Sequence, residues 1–109
     1  MEKTILKDFT DRLLNQIGER IDTVKWFGST ARGERHRFFD IDVIVISDSE
    51  DRQLRNTVFD IAADISLEYD CLLSVIFISF LRYEEMKKAG RLLARNIERE
   101  GISLWKKAV

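Results

Sequence analysis

Two carboxylates stand where an apolar strand is expected. Asp40 and Asp42 lead into the apolar run Val43-Ile44-Val45-Ile46. In an extended strand alternate side chains share one face, roughly 6 to 7 Å apart, so both carboxylates can bind one object. Two ionised carboxylates this close repel each other, and the pair is stable mainly when a cation or an arginine neutralises it. Hard oxygen ligands suit Mg²⁺ or Mn²⁺, so the pattern predicts a divalent-metal site.

A small-residue turn precedes this pair. Gly28-Ser29 follows the apolar residues Trp26 and Phe27, and ten residues separate Ser29 from Asp40. Glycine lets a backbone approach a ligand closely, and Ser29 with the amides that follow it at a helix start can donate to a phosphate. Taken separately, the turn could be an ordinary helix cap and the aspartates an exposed strand end. Their order along the chain favours a site for a metal and a nucleotide together.

The segment between the Gly28-Ser29 turn and the aspartate pair is basic. Arg32, Arg35 and Arg37 would steer a triphosphate, balance the aspartates, or simply be solvated, and the sequence leaves these alternatives open. The single histidine, His36, is expected to be solvent-exposed, because no second histidine or cysteine is spaced to join it in a metal site.

The elements that must position these residues follow from hydrophobic periodicity. A four-residue spacing of apolar side chains predicts helices, and β-branched or continuous apolar runs predict strands. Strands are predicted at residues 22–27, 38–47, 72–79 and 102–105, and helices at about 3–20, from 29, from the polar break at 47–51 to about 68, and from 83 to about 100 with a break at Gly90. This order predicts an α/β (α+β) fold, a small mixed sheet with helices packed mainly on one face.

Composition narrows the class of protein. The 109 residues are expected to form one domain, 1–109, and 34% charged residues suit a soluble globular chain. With a net charge of −1 there is no global positive field, so direct nucleic-acid binding is not expected. One cysteine, no signal-peptide pattern and no bilayer-length apolar run make the cytoplasm the expected location and membrane association unexpected.

The motif has a known counterpart. Gly28-Ser29, ten intervening residues and Asp40-Ile41-Asp42 resemble the signature of the polymerase-β-like nucleotidyltransferases, and the chain is similar to their minimal nucleotidyltransferase (MNT) group. The resemblance implies the nucleotidyltransferase fold, with Asp40 and Asp42 as catalytic metal ligands and Gly28, Ser29 and Arg32 on the nucleotide phosphates. It also implies attack of a hydroxyl on the α-phosphorus with release of pyrophosphate, assisted by divalent metal.

One position departs from the family. Such enzymes normally carry a third carboxylate on a neighbouring strand, but the only polar residue inside the 72–79 strand is Ser74. Serine supplies neither negative charge nor a base near neutral pH. Asp70 would reach the site only in a different strand register, and Glu68 lies at a predicted helix end.

Two functions therefore stay open. The resemblance implies a transferase, most simply of AMP from ATP to a hydroxyl acceptor with Mg²⁺, and an antitoxin role toward a HEPN-domain toxin partner. Ser74 favours the alternative, a binding module that retains Mg²⁺-nucleotide affinity and neutralises a partner by complex formation. The sequence leaves open whether the chain forms a homo-oligomer.

Overall fold

The computed structural model describes residues 1–34 and 40–108. Every predicted helix and strand has a counterpart in it, with bounds that differ by a few residues. The elements are α1 (Glu2–Ile17), a short 3-10 turn (Gly18–Arg20), β1 (Ile21–Phe27), α2 (Gly28–Ala31), β2 (Asp40–Ser47), α3 (Arg52–Tyr69), β3 (Leu72–Ser79), α4 (Phe80–Lys88), α5 (Leu92–Glu100) and β4 (Ile102–Lys106). The predicted break at Gly90 is confirmed, since this residue has a φ of +68° between α4 and α5.

The four strands form one mixed sheet in the order β3-β2-β1-β4. β1 pairs antiparallel with β2 and with β4, whereas β2 pairs parallel with β3. The parallel pair is joined through α3, as a parallel connection requires. β2 is therefore central, and this explains its almost unbroken apolar sequence.

The two faces of the sheet are covered by different helices. On the first face, α1 and α3 bury side chains such as Phe9 and Ile65 against Ile41, Val43 and Val45 of β2. On the second face, α4 and α5 pack on the alternate residues of β2. The predicted mixed fold is confirmed, with the two long helices together on the first face. The shorter α4 and α5 add a second cover that the periodicity had not assigned to a face.

Some sequence predictions fall outside the described residues. These are Arg35, His36 and Arg37 in the basic loop and the first two residues of the predicted strand, Phe38 and Phe39. Among residues 1–34 and 40–108, no helix is both long enough and apolar enough to cross a membrane.

Candidate active site

The two predicted metal ligands lie at the first residues of β2. Asp40 is exposed and Asp42 is half-buried, and strand alternation places both on the second face, with Ile44 and Ile46 further along. Phe27, the last residue of β1, is the antiparallel partner of Asp42. The chain therefore leaves β1 beside Asp42 and enters the Gly28-Ser29 turn there.

Gly28 packs directly on the Asp42 carboxylate. Its φ is +81°, a left-handed conformation that L side chains rarely adopt. A Cβ built on Gly28 would overlap Oδ2 of Asp42 and come within 3.2 Å of its Cγ. Glycine is thus needed here both for the backbone conformation and for the close approach, and the two halves of the sequence motif meet at this contact.

A buried hydrogen bond anchors the turn. The indole Nε1 of Trp26 donates to Oγ1 of Thr30 at 2.9 Å, and both residues are buried. The carbonyl oxygen of Ser29 accepts the backbone N–H of Glu34 at 2.9 Å, which closes the end of α2. The sequence did not predict the role of Thr30, because Trp26 lies in a strand and Thr30 in the next helix, and no local spacing rule connects the two elements.

Arg32 lies in the same segment, with its guanidinium bound to carboxylates. Its Nε is 2.8 Å from Oε2 of Glu34 and its Nη1 is 3.2 Å from Oε2 of Glu100 at the end of α5. These partners raise the pKa of Arg32, so it remains charged. A phosphate contact by Arg32 would compete with these carboxylates for the guanidinium.

The electrostatics of the pair favour a cation. Burial, and then repulsion from Asp40, raise the pKa of the Asp42 carboxyl. No hydrogen bond or ion pair from another described residue neutralises Asp40 or Asp42. Within the described part of the chain, no third histidine, cysteine or acidic side chain completes a metal-binding group with them. The donor set fits a magnesium-like ion held by two carboxylates, with substrate phosphates supplying further oxygens.

Ser74 lies where the sequence predicted it. In the parallel β2–β3 pairing Asp42 is the partner of Ser74 and Asp40 of Leu72, so Ser74 is on the second face beside Asp42. Asp70 and Glu68, the other candidates for a third carboxylate, do not pair with Asp42 in the sheet. Asp70 caps the end of α3 with a φ of 51°, and Glu68 is ion-paired with Arg12 of α1.

The fold is that of a nucleotidyltransferase domain. The family profile described as nucleotidyltransferase domain matches residues 4–103, and the chain belongs to this family. Two relatives are candidate protein adenylyltransferases of Methanocaldococcus jannaschii. One is 29% identical over 106 residues, 95% of this chain and 98% of the relative. The other is 32% identical over 73 residues, 66% of this chain and 74% of the relative.

Solved structures share the fold. A toxin–antitoxin crystal structure with AMP-PNP superposes with a TM-score of 0.61 at 22% identity, covering 93% of this chain and 73% of the other. A complex of tri-AMPylated Shewanella oneidensis HEPN toxin with MNT antitoxin gives 0.57 at 19% identity, covering 98% and 74%. These comparisons confirm the predicted family and fold. Nucleotidyltransferases of this family generally use a divalent metal.

Proposed function

We propose that this protein transfers AMP from ATP to a hydroxyl group of a partner protein. The observation that carries the proposal is the contact between Gly28 and Asp42, which places the Gly28-Ser29 turn against the carboxylate pair. In this proposal Asp40 and Asp42 hold Mg²⁺ or Mn²⁺, and Gly28, Ser29 and Arg32 contact the nucleotide phosphates. We also propose that the protein is located in the cytoplasm, where ATP is available.

The relatives support the choice of nucleotide and acceptor. Two are named for protein adenylyl transfer, and the fold neighbours include a toxin–antitoxin with AMP-PNP and an antitoxin bound to an AMPylated HEPN toxin. By analogy the acceptor is a hydroxyl of a HEPN-domain toxin, and the protein is its antitoxin.

The residues of the site suit an in-line displacement. The acceptor oxygen forms a bond to the α-phosphorus, the bond from this phosphorus to the bridging oxygen breaks, and pyrophosphate leaves. A divalent metal supplies Lewis-acid stabilisation of the phosphoryl oxygens when bound. Asp40 and Asp42 hold it in place, and the Gly28-Ser29 turn orients the phosphates. Ser74 is no base near neutral pH, so the acceptor proton passes to water.

Ser74 favours a second candidate function. Without a third carboxylate beside Asp42, the domain would bind Mg²⁺-nucleotide and cover its partner while transferring AMP slowly or not at all. Neutralisation would then come from complex formation alone.

Labelled nucleotide separates the two functions. The protein and the product of the neighbouring gene are mixed with α-labelled ATP and Mg²⁺, in parallel with Asp42→Asn. We expect label on the partner with the wild type and its loss in the variant. A stable complex that never becomes labelled would establish the binding module instead.

A further inference from the structure

The outer face of α5 carries a line of arginines. Arg91, which precedes the first residue of α5, and Arg95 and Arg99 within it are spaced by four residues, so their side chains follow one side of the helix at steps of about 6 Å. All three are exposed, whereas Ala94 and Ile97 on the inner side are completely buried against the sheet. The arginines therefore do not contribute to the core.

Their charges are almost unneutralised. Among the described residues, Arg91 and Arg95 have no ion-pair partner. Arg99 reaches only Oε1 of Glu100, at 3.7 Å, and the side-chain oxygen of Asn96, at 3.3 Å. Several arginines elsewhere in the fold are bound more closely, for example Arg20 to Asp48 and Asp51 at 3.0 Å. The line of arginines on α5 thus presents positive charge outward from a chain whose net charge is −1.

Exposed apolar side chains border this line. Leu92 is 69% exposed and Leu93 is 37% exposed at the start of α5. They line a groove between α4 and α5 with Arg82, Glu85, Met86, Ala89 and Arg91. Arginine is enriched at protein–protein interfaces, and the exposed leucines add apolar surface beside it.

The C-terminal end of α5 lies beside the segment that follows the Gly28-Ser29 turn. The helix lies on the second face of the sheet, as Asp40 and Asp42 do, and its last residue, Glu100, is ion-paired with Arg32 of the segment that follows Ser29. Arg99 is the next residue along the chain. A protein bound along α5 would therefore have its surface next to the Gly28-Ser29 turn.

We propose that Arg91, Leu92, Arg95 and Arg99 form the docking surface for an acidic protein segment that carries the acceptor hydroxyl. The arginines would be complementary in charge to carboxylates on the partner. Leu92 would pack against an apolar side chain that lies among those carboxylates. A polynucleotide fits less well, because the accessible side chain of Leu92 would find no apolar contact on a phosphate backbone. This inference rests on the proposed function for the identity of the docked segment as acceptor.

Charge reversal tests the surface. The variant Arg91→Glu/Arg95→Glu is compared with Lys3→Glu/Arg52→Glu, which makes the same change in net charge at the exposed starts of α1 and α3 on the opposite face. Calorimetry measures affinity for the neighbouring gene product at low and high salt, and separately for Mg²⁺-AMP-PNP. We expect the α5 variant to weaken partner binding about tenfold or more and to lose most of its salt dependence. The control variant should bind the partner as the wild type does, and both variants should bind nucleotide normally.

Several results would overturn the docking surface. These are unchanged partner binding by the α5 variant, equal weakening by the control, the absence of a wild-type complex, or displacement of the partner by a single-stranded RNA oligonucleotide. Circular dichroism excludes unfolding as the cause of a loss. A complex that depends on α5 but never becomes labelled by ATP would leave the surface standing and refute only the transfer function.

Discussion

Gly28 and Gly33 have nearly the same backbone conformation but different surroundings. Their φ values are +81° and +83°, yet a Cβ at Gly28 would overlap the Asp42 carboxylate while one at Gly33 would meet nothing within 4 Å. Alanine substitutions at the two glycines can therefore distinguish the effect of backbone strain, which both share, from the displacement of Asp42, which only Gly28 would cause.

Gly28→Ala is expected to weaken Mg²⁺-nucleotide binding about tenfold or more, because the new methyl group must displace Asp42. Gly33→Ala should show only the backbone cost of a left-handed residue, about 1 to 2 kcal/mol in the free energy of unfolding. Calorimetric titration and urea unfolding of both variants measure the two effects. Equal nucleotide affinity in the two variants would contradict the assigned role of Gly28.

Ser74 offers a gain-of-function test, because its register places a new side chain beside Asp42. Ser74→Asp would add a third carboxylate, and we expect AMP transfer to rise on the order of 100-fold if that group acts as a base. Without metal the melting temperature should fall through carboxylate repulsion, and Mg²⁺ should restore it. Ser74→Asn is the uncharged control. A Ser74→Asp variant with the rate and the metal response of the wild type would show that the missing carboxylate is not what limits this site.

At the scale of elements, the short helix α2 depends on what anchors it. It has only four residues, and isolated helices of this length are not stable in water. The bond from Trp26 to Thr30 attaches it to β1 inside the core. The orientation of the Gly28-Ser29 turn therefore depends on a side chain that need not touch the nucleotide.

Thr30→Val keeps the shape of the side chain but leaves the buried indole N–H of Trp26 without its acceptor. We expect a loss of about 1 to 3 kcal/mol in the free energy of unfolding, together with weaker nucleotide binding. Thr57→Val is a control with the same substitution, because Thr57 is only half-buried on α3 and its hydroxyl bonds to the carbonyl oxygen of Gln53. Its effect should stay within about 0.5 kcal/mol. If both variants unfold at the same urea concentration, the anchoring role of Thr30 is wrong.

At the scale of the whole molecule, the two long helices are joined by a polar cluster on the first face. The hydroxyl of Tyr69, at the end of α3, donates to Oδ2 of Asp8 on α1 at 2.7 Å, and Arg12 pairs with Asp8 and Glu68. The Tyr69 hydrogen bond, followed by that from Arg12, holds the pKa of Asp8 below its ordinary value of 3.8. A carboxyl group whose pKa is lowered on folding stabilises the protein above its unfolded pKa.

Tyr69→Phe should therefore lower the free energy of unfolding at pH 7. The difference from the wild type should shrink as the pH falls below 3.8 and Asp8 becomes protonated in the folded state. Urea unfolding from pH 7 down to the lowest pH at which both proteins remain folded measures this trend. A difference that stays constant, or grows with acidification, would mean that packing of the ring and not the Asp8 bond explains the variant.

Local pattern was enough to predict most elements of this protein. The four-residue spacing in α1 and α3 and the apolar run of β2 are properties of a few successive residues, and they predicted the elements and the mixed α/β class. The same holds for the motif. The residue types of Gly28-Ser29 and of Asp40-x-Asp42 were enough to predict a phosphate contact and a divalent-metal site. The packing of α4 and α5 on the second face could not be predicted in this way. Helical periodicity shows which side of a helix is apolar, but it does not show which face of the sheet that side packs against.

The contacts that bring the residues of the motif together were decided by the tertiary structure. The sequence by itself determined that the chain contains a carboxylate pair, a Gly-Ser turn and a third strand without a carboxylate. Only the sheet placed Gly28 against Asp42 and paired Ser74 with Asp42, and only the packing of α5 brought Glu100 to Arg32 across 68 residues. Such contacts depend on strand register and on helix packing, both of which are set by the free energy of the whole core and not by any short segment.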